Sequence, residues 1–146
     1  MNRYENLKDT FFSLIEEHCH GIYKQRAYYH SLTVCSLCQK LALENNLDIE
    51  LAGVMGLFHD IAQFVNYSSF NHASRSSEMM KKYLDDYNDE EKKIIINAIK
   101  NHSDKDKIHD IYDEILKDAD VLAQYFAEPD IILKEASLQR LKKYLP

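Results

Sequence analysis

Apolar residues recur every three to four positions along most of the chain, the spacing that gives a helix one buried face. Residues 4–18 carry Leu7, Phe11, Leu14, Ile15 and His18 in that register, and Gly21 ends this first helix or lies in the turn after it. Residues 25–46 predict a second helix with Leu32, Val34, Cys35, Cys38, Leu41 and Ala42 facing inward, stopped at Asn45-Asn46. Asp48 or its neighbour opens a third helix that runs unbroken through Val65. Its core, LAGVMGLFHDIAQFV from Leu51 to Val65, is apolar on nearly every side. A helix apolar all round belongs at the centre of a fold, with other helices around it. Further helices are predicted over residues 72–85, 90–101 and 112–126, the last with Ile115, Leu116, Ala119, Leu122, Ala123 and Phe126 as its stripe. Pro129 breaks that helix, and residues 131–144 form a final one.

The chain is thus expected to be all-α, a single domain over residues 1–146 with about six to seven helices. Only 3 Gly and 2 Pro interrupt long runs of helix formers, too few turn residues for a many-stranded fold. At 146 residues one domain can bury a real core without staples. The net charge of -6 argues against a duplex nucleic-acid binder with a basic face. It leaves room for a small phosphorylated substrate, because a metal can supply local positive charge. No segment reads as a membrane span, and MNRYENLKDTFF lacks the pattern of a signal peptide, so a cytoplasmic protein is expected. Three cysteines, Cys19, Cys35 and Cys38, make a disulfide framework an unsuitable reading. The CSLC pair lies within an amphipathic helix, where Cys acts as a small hydrophobe. His18-Cys19-His20, at a helix end, is expected at the surface.

Within the central stretch only His59, Asp60 and Gln63 are polar. A carboxylate in such a place must be paired or must hold a metal. A buried hydrogen-bonded pair satisfies the first condition, and a metal site the second. Further candidates fall at the ends or core sides of other elements: His30, His72, His102 and Asp120. Four imidazoles and two carboxylates together make a nitrogen–oxygen site suited to Mn, Fe, Co, Ni or Zn rather than Ca. Periodicity alone does not separate Asp120 from Asp118, since both have apolar neighbours one turn away.

The segments YYHSLTV around His30, GLFHDIA around His59-Asp60, NHASRSS around His72, AIKNHSD around His102 and LKDADVL around Asp120 follow one another over residues 26–126. This order resembles the HD-domain superfamily of metal-dependent phosphohydrolases. The resemblance implies that His30, His59, Asp60 and Asp120 ligate a metal, and it favours Asp120 over Asp118. It places His72 and His102 either at a second metal or at the phosphate, so one or two divalent ions per chain are expected. Phe58 stands where many members have Gly or Leu, and Gln63 where relatives often have Lys. The Gly-Tyr-Pro signature of the cyclic-dinucleotide branch is absent from the sequence, which leaves the substrate open.

The implied chemistry is hydrolysis of a small phosphorylated molecule, a nucleotide above all. A divalent ion with open positions acidifies bound water and polarises a phosphoryl oxygen. Asp60 would orient that water or take its proton, and His72 and His102, where not metal-bound, would neutralise the phosphate. Arg26, four residues before His30, and Arg75, one turn after His72, are the bases expected at the phosphate, with Lys105 and Lys107 a weaker pair. Two other functions share the same residues: a di-iron oxygenase, and a non-enzymatic metal- or ligand-binding protein.

Overall fold

A computed structural model describes residues 2–146. Among these residues it contains eight α-helices, one short 3-10 turn and no strand. The all-α reading therefore holds, with one more helix than expected because the central helix is interrupted. No helix among them is long and apolar enough to cross a membrane.

Helix α1 (Arg3–His18) starts at Asn2, whose side chain accepts the Glu5 backbone N–H at 2.8 Å. It buries Leu7, Phe11 and Ile15. Helix α2 (Gly21–Glu44) begins four residues earlier than the pattern suggested. Gly21 opens it, with a φ of +59° that suits glycine, so this residue starts α2 rather than ending α1. The buried face of α2 runs through Ala27, Ser31, Val34, Cys35, Cys38, Leu41 and Ala42. Leu32, expected inward, is exposed, because the 3.6-residue period gives its place to Ser31.

Helix α3 (Ile49–Phe58) is capped by Asp48, which accepts the Leu51 N–H at 3.0 Å. Every residue from Leu51 to Phe58 is buried. The helix does not continue to Val65: it stops at His59-Asp60, and α4 (Ile61–Asn66) restarts after it. At the break Asp60 leaves the helical region, with φ -112° and ψ 16°. The Ala62 N–H freed there donates to the Ser76 hydroxyl at 3.0 Å, so no buried donor is stranded.

Helix α5 (His72–Met80) is shorter than expected and passes into a 3-10 turn over Lys81–Tyr83. Helix α6 (Asp89–Asn101) opens with a capping box between Asn88 and Glu91. Helix α7 (Ile111–Ala127) follows, then α8 (Glu135–Lys142). Phe126, expected in the buried stripe of α7, is half exposed at its last turn, and Ile132 lies in solvent before α8. Arg3 ties three elements together, reaching Glu50 and Glu91 at 2.8 Å each.

The main core gathers around α3, packed by α1, α2, α6 and α7. The α2–α3 contact is close because Gly56 has no side chain. A Cβ there would lie 2.9 Å from Cys35 Cα and 3.0 Å from the Val34 carbonyl oxygen. Cys35 and Cys38 are buried free thiols on that same face, in agreement with their reading as small hydrophobes.

Candidate metal centre

Six side chains from five places in the fold converge on one point. His30 comes from α2, His59 and Asp60 from the α3–α4 break, His72 from the start of α5, His102 from the end of α6 and Asp120 from α7. The break is what lets two consecutive residues serve one centre. On a continuous helix their side chains diverge by roughly 100°. Here His59 caps α3 while Asp60 precedes α4, and both turn inward.

Two groups of donor atoms result, each within 4.8 Å of one another: His30, His59, Asp60 and Asp120, and Asp60, His72 and His102. Asp60 belongs to both. Its Oδ2 lies 3.1 Å from His59 Nε2 and 3.2 Å from His30 Nε2. Its Oδ1 lies 3.0 Å from His102 Nε2 and 3.2 Å from His72 Nε2. Asp120 Oδ1 closes the first group, 3.0 Å from His30 Nε2 and 3.3 Å from His59 Nε2. In both groups the imidazoles face each other, His30 Nε2 to His59 Nε2 at 3.1 Å and His72 Nε2 to His102 Nε2 at 3.2 Å.

Backbone carbonyls set three of these rings. His59 Nδ1 donates to Gly56 O at 2.7 Å, His102 Nδ1 to Ile99 O at 2.7 Å and His72 Nδ1 to Ser69 O at 3.0 Å. A hydrogen on Nδ1 leaves the Nε2 lone pair pointing into the centre, the arrangement of metal-binding histidines. The buried Asp120 Oδ1 makes no hydrogen bond, since its approach to His30 lacks the geometry of one. Converging lone pairs and an unpartnered buried carboxylate oxygen require a positive charge between them. The donor set therefore fits a divalent transition ion.

The electrostatics agree. Burial would raise the Asp60 carboxyl, but His59, His102 and His30 hold it well below the usual carboxylate range. Asp120 is likewise held low against burial, by Lys105, His30 and His59. Burial would lower His59, yet Asp60 and Asp120 push it up to about 10. For His102 burial wins over Asp60, and the ring is lowered. Two ionised carboxylates at the bottom of a cleft draw in a cation, whether a proton on His59 or a metal ion in its place.

The cleft above the cluster has a volume of about 400 Å³, and Arg26, Lys105, Gln63, Ser103 and Gln124 contribute to its lining. Arg26 is exposed and makes no side-chain hydrogen bond or ion pair among the described residues. Lys105, ranked behind the arginines on sequence grounds, is the nearest base. Its Nζ donates to Asp120 Oδ2 at 2.8 Å and to the His102 carbonyl at 2.6 Å. Arg75 is not part of the lining: its guanidinium turns back to the Phe70 carbonyl at 3.1 Å, on the loop before α5. Lys107 is likewise absent from the lining, its side chain largely exposed and 3.9 Å from Asp104. Gln124, one turn after Asp120 on α7, is the lining residue that helical spacing could have found.

Asp118 is not exposed. It is buried and ion-paired to Arg140 at 3.0 Å and Lys143 at 2.7 Å, and it accepts the Tyr144 hydroxyl at 2.5 Å. His18 and His20 lie outside both donor groups, and Cys19 between them is buried, its thiol donating to the Phe64 carbonyl at 3.4 Å.

The HD domain family model matches residues 27–125. Ribonuclease Y of Mycoplasma mycoides subsp. mycoides SC is 32% identical over 132 residues, covering 85% of this chain and 25% of that protein. Ribonuclease Y of Geobacter sulfurreducens is 31% identical over 102 residues, 69% of this chain and 18% of that protein. The chain thus spans about a quarter or less of these relatives. In fold it is similar to the crystal structure of a predicted HD superfamily hydrolase from an uncultured Thermotogales bacterium. The TM-score is 0.65 at 19% identity, over 98% of this chain and 90% of that one. All six converging residues fall inside the matched span, and with most of its length covered by that model the chain belongs to the HD-domain family.

Proposed function

We propose that the chain is a metal-dependent phosphohydrolase acting on phosphoesters of nucleotides, whose two donor groups, with Asp60 in both, would hold two divalent transition ions. The observation that carries this reading is the division of Asp60, one oxygen toward His30 and His59 and the other toward His72 and His102. The first ion would be held by His30, His59, Asp60 and Asp120, and the second by Asp60, His72 and His102. When bound, such ions supply an acidified water and a Lewis acid for the phosphoryl oxygens.

The remaining work falls to the chain itself. Arg26 carries an unpaired guanidinium at the cleft and can clamp phosphate oxygens in two-pronged fashion. Lys105 holds Asp120 by its Oδ2, which keeps Oδ1 turned toward the histidines, and adds positive charge on the side of the leaving group or the phosphate. Gln63, Ser103 and Gln124 offer neutral hydrogen bonds that orient a polar substrate without adding charge. Similarity to ribonuclease Y proteins supports RNA phosphodiesters as members of the substrate class, beside free nucleotides. The net charge of -6 favours short single strands over a duplex.

The test joins metal counting to turnover. After chelation and reloading with Mn, Fe, Co, Ni or Zn, the wild type should hold two ions per chain. It should release phosphate or a nucleotide from a panel of nucleotides and short RNAs. His72→Ala and His102→Ala should each lose one ion, and Asp60→Ala both. A wild type with one ion that both histidine variants retain would reduce the centre to a single metal. No turnover of any phosphoester would remove the phosphohydrolase reading, and bound iron with oxygen uptake would replace it by an oxygenase.

A further inference from the structure

The cleft does not end at His30. A groove of about 940 Å³ leads away from it between the first half of α2 and the last turn of α7. One wall is a stripe on the outer face of α2, formed by Ile22, Arg26 and Tyr29 and ending at His30. At 1.5 Å per residue this stripe is ~12 Å long. The other wall is Gln124, at the metal end, and Glu128, at the far end. Arg26, His30 and Gln124 line both the cleft and the groove, so the two are one continuous surface.

The groove's lining combines charge, hydrogen-bonding groups and an aromatic ring. At the metal end stand a free guanidinium and an amide. Beside the guanidinium, next to His30 in sequence, Tyr29 is 53% exposed, and at the far end of the stripe Ile22 is 68% exposed. The Tyr29 hydroxyl has no hydrogen-bond partner among the described residues. An accessible aromatic ring beside an arginine is the combination on which nucleobases stack, with the cation tracking the phosphate. Glu128 then closes the far end with a negative charge, which turns a further phosphate away.

We propose that this groove is the nucleoside subsite of the centre. The phosphate lies at the metal cluster under Arg26, and a single nucleoside extends into the groove with its base on Tyr29. This rests on the phosphohydrolase reading and narrows it: the substrate carries a nucleoside on the α2 side of the scissile phosphorus, and simple phosphoesters without a base are poor ligands.

Binding is the direct test. The non-hydrolysable phosphonate analogues of adenosine 5′-monophosphate and of ribose 5-phosphate, which lacks the base, are titrated calorimetrically into the Mn-reloaded full chain. The wild type should bind the nucleotide at least tenfold more tightly than the sugar phosphate. Tyr29→Ala should bring the nucleotide down to the level of the sugar phosphate, and Tyr29→Phe should restore the difference. Arg26→Gln should weaken both ligands alike. Equal binding of the two ligands to the wild type, or a preference untouched by Tyr29→Ala, would overturn the proposal. So would a dimer in sedimentation that Ile22→Asp converts to a monomer, because the face would then be covered by a second copy of the chain. Base-dependent binding without hydrolysis of any phosphoester would support the groove and remove only the catalytic reading. Hydrolysis with no preference for a base would do the reverse.

Discussion

Asp118 and Asp120 stand two positions apart on α7 and do opposite things. Asp120 turns an unpartnered oxygen toward His30 and His59, whereas Asp118 disappears into a cluster with Arg140, Lys143 and Tyr144. The sequence could not separate them by periodicity, because both have apolar neighbours. Only the family resemblance favoured the second. The partners of Asp118 lie 22 to 26 residues downstream, and no local pattern announces them. Removing one member of a buried ion pair leaves the others uncompensated, at a cost of about 3 kcal/mol or more. Asp118→Ala should therefore lower the urea-unfolding free energy by about that amount and leave the metal content unchanged. Asp120→Ala should do the opposite: it should lose metal and keep a cooperative unfolding transition. Lys105 and Arg75 teach the same lesson. Arg75 ranked ahead of Lys105 on sequence grounds, yet a backbone carbonyl five residues away holds Arg75 off the site and a carboxylate 15 residues away draws Lys105 to it.

At the scale of elements, what repeats locally was readable and what depends on distant contacts was not. Asp48 opened α3 as expected, because a side-chain cap acts within one turn. No local signal announces the break at His59-Asp60: no Gly or Pro marks it and apolar residues run straight through. Its backbone donor is taken by Ser76, 14 residues away. The same holds for the loop between α6 and α7. Arg140 on α8 donates Nε to the Lys105 carbonyl at 3.0 Å and Nη2 to the Lys107 carbonyl at 3.1 Å. The last helix thereby fixes the loop that delivers Lys105 to Asp120. Arg140→Lys keeps the charge but loses the planar fork that reaches both carbonyls. Amide exchange over residues 103–109 should accelerate about tenfold or more, and turnover should fall while the ion count holds. Unchanged exchange would show that the loop needs no such support.

For the whole molecule, the fold class was legible from helical periodicity and the scarcity of turn residues, and the sheet-free bundle follows from them. The candidate site was legible as a set of six residues, because the order of the motifs survives any misplacement of helix ends. Its division, with His72 and His102 set apart from the other four, came only with the family resemblance, and no pattern says which oxygen of Asp60 faces which histidine. The centre draws on α2, the α3–α4 break, α5, α6 and α7, so a bound ion links most of the bundle. Ligand at a hundred times its dissociation constant adds about 2.7 kcal/mol to a native state that alone can bind it. For a domain of this size that is about 5–10 °C in melting temperature. Chelation should lower the calorimetric Tm by at least that much, and restoring Mn should recover it. A Tm indifferent to chelator would mean that the bundle holds its shape without the ion.

The missing methyl of Gly56 bears on which ion the centre would accept. Gly56 meets Val34 and Cys35, one turn beyond His30 on α2, and its carbonyl also holds the His59 ring. The spacing of the two helices there therefore sets how far apart two facing imidazoles stand. Ionic radius is selected by the size of the cage. Gly56→Ala should push α3 outward, lengthen the His30–His59 separation and shift competition from the smaller Zn toward the larger Mn. Loading the variant from an equimolar mixture of the two, and counting each, would reveal it. An unchanged Mn:Zn ratio would show that the cage adjusts independently of the helix contact. A shifted ratio would make metal preference in this bundle tunable by backbone packing, at a residue outside the ligand set.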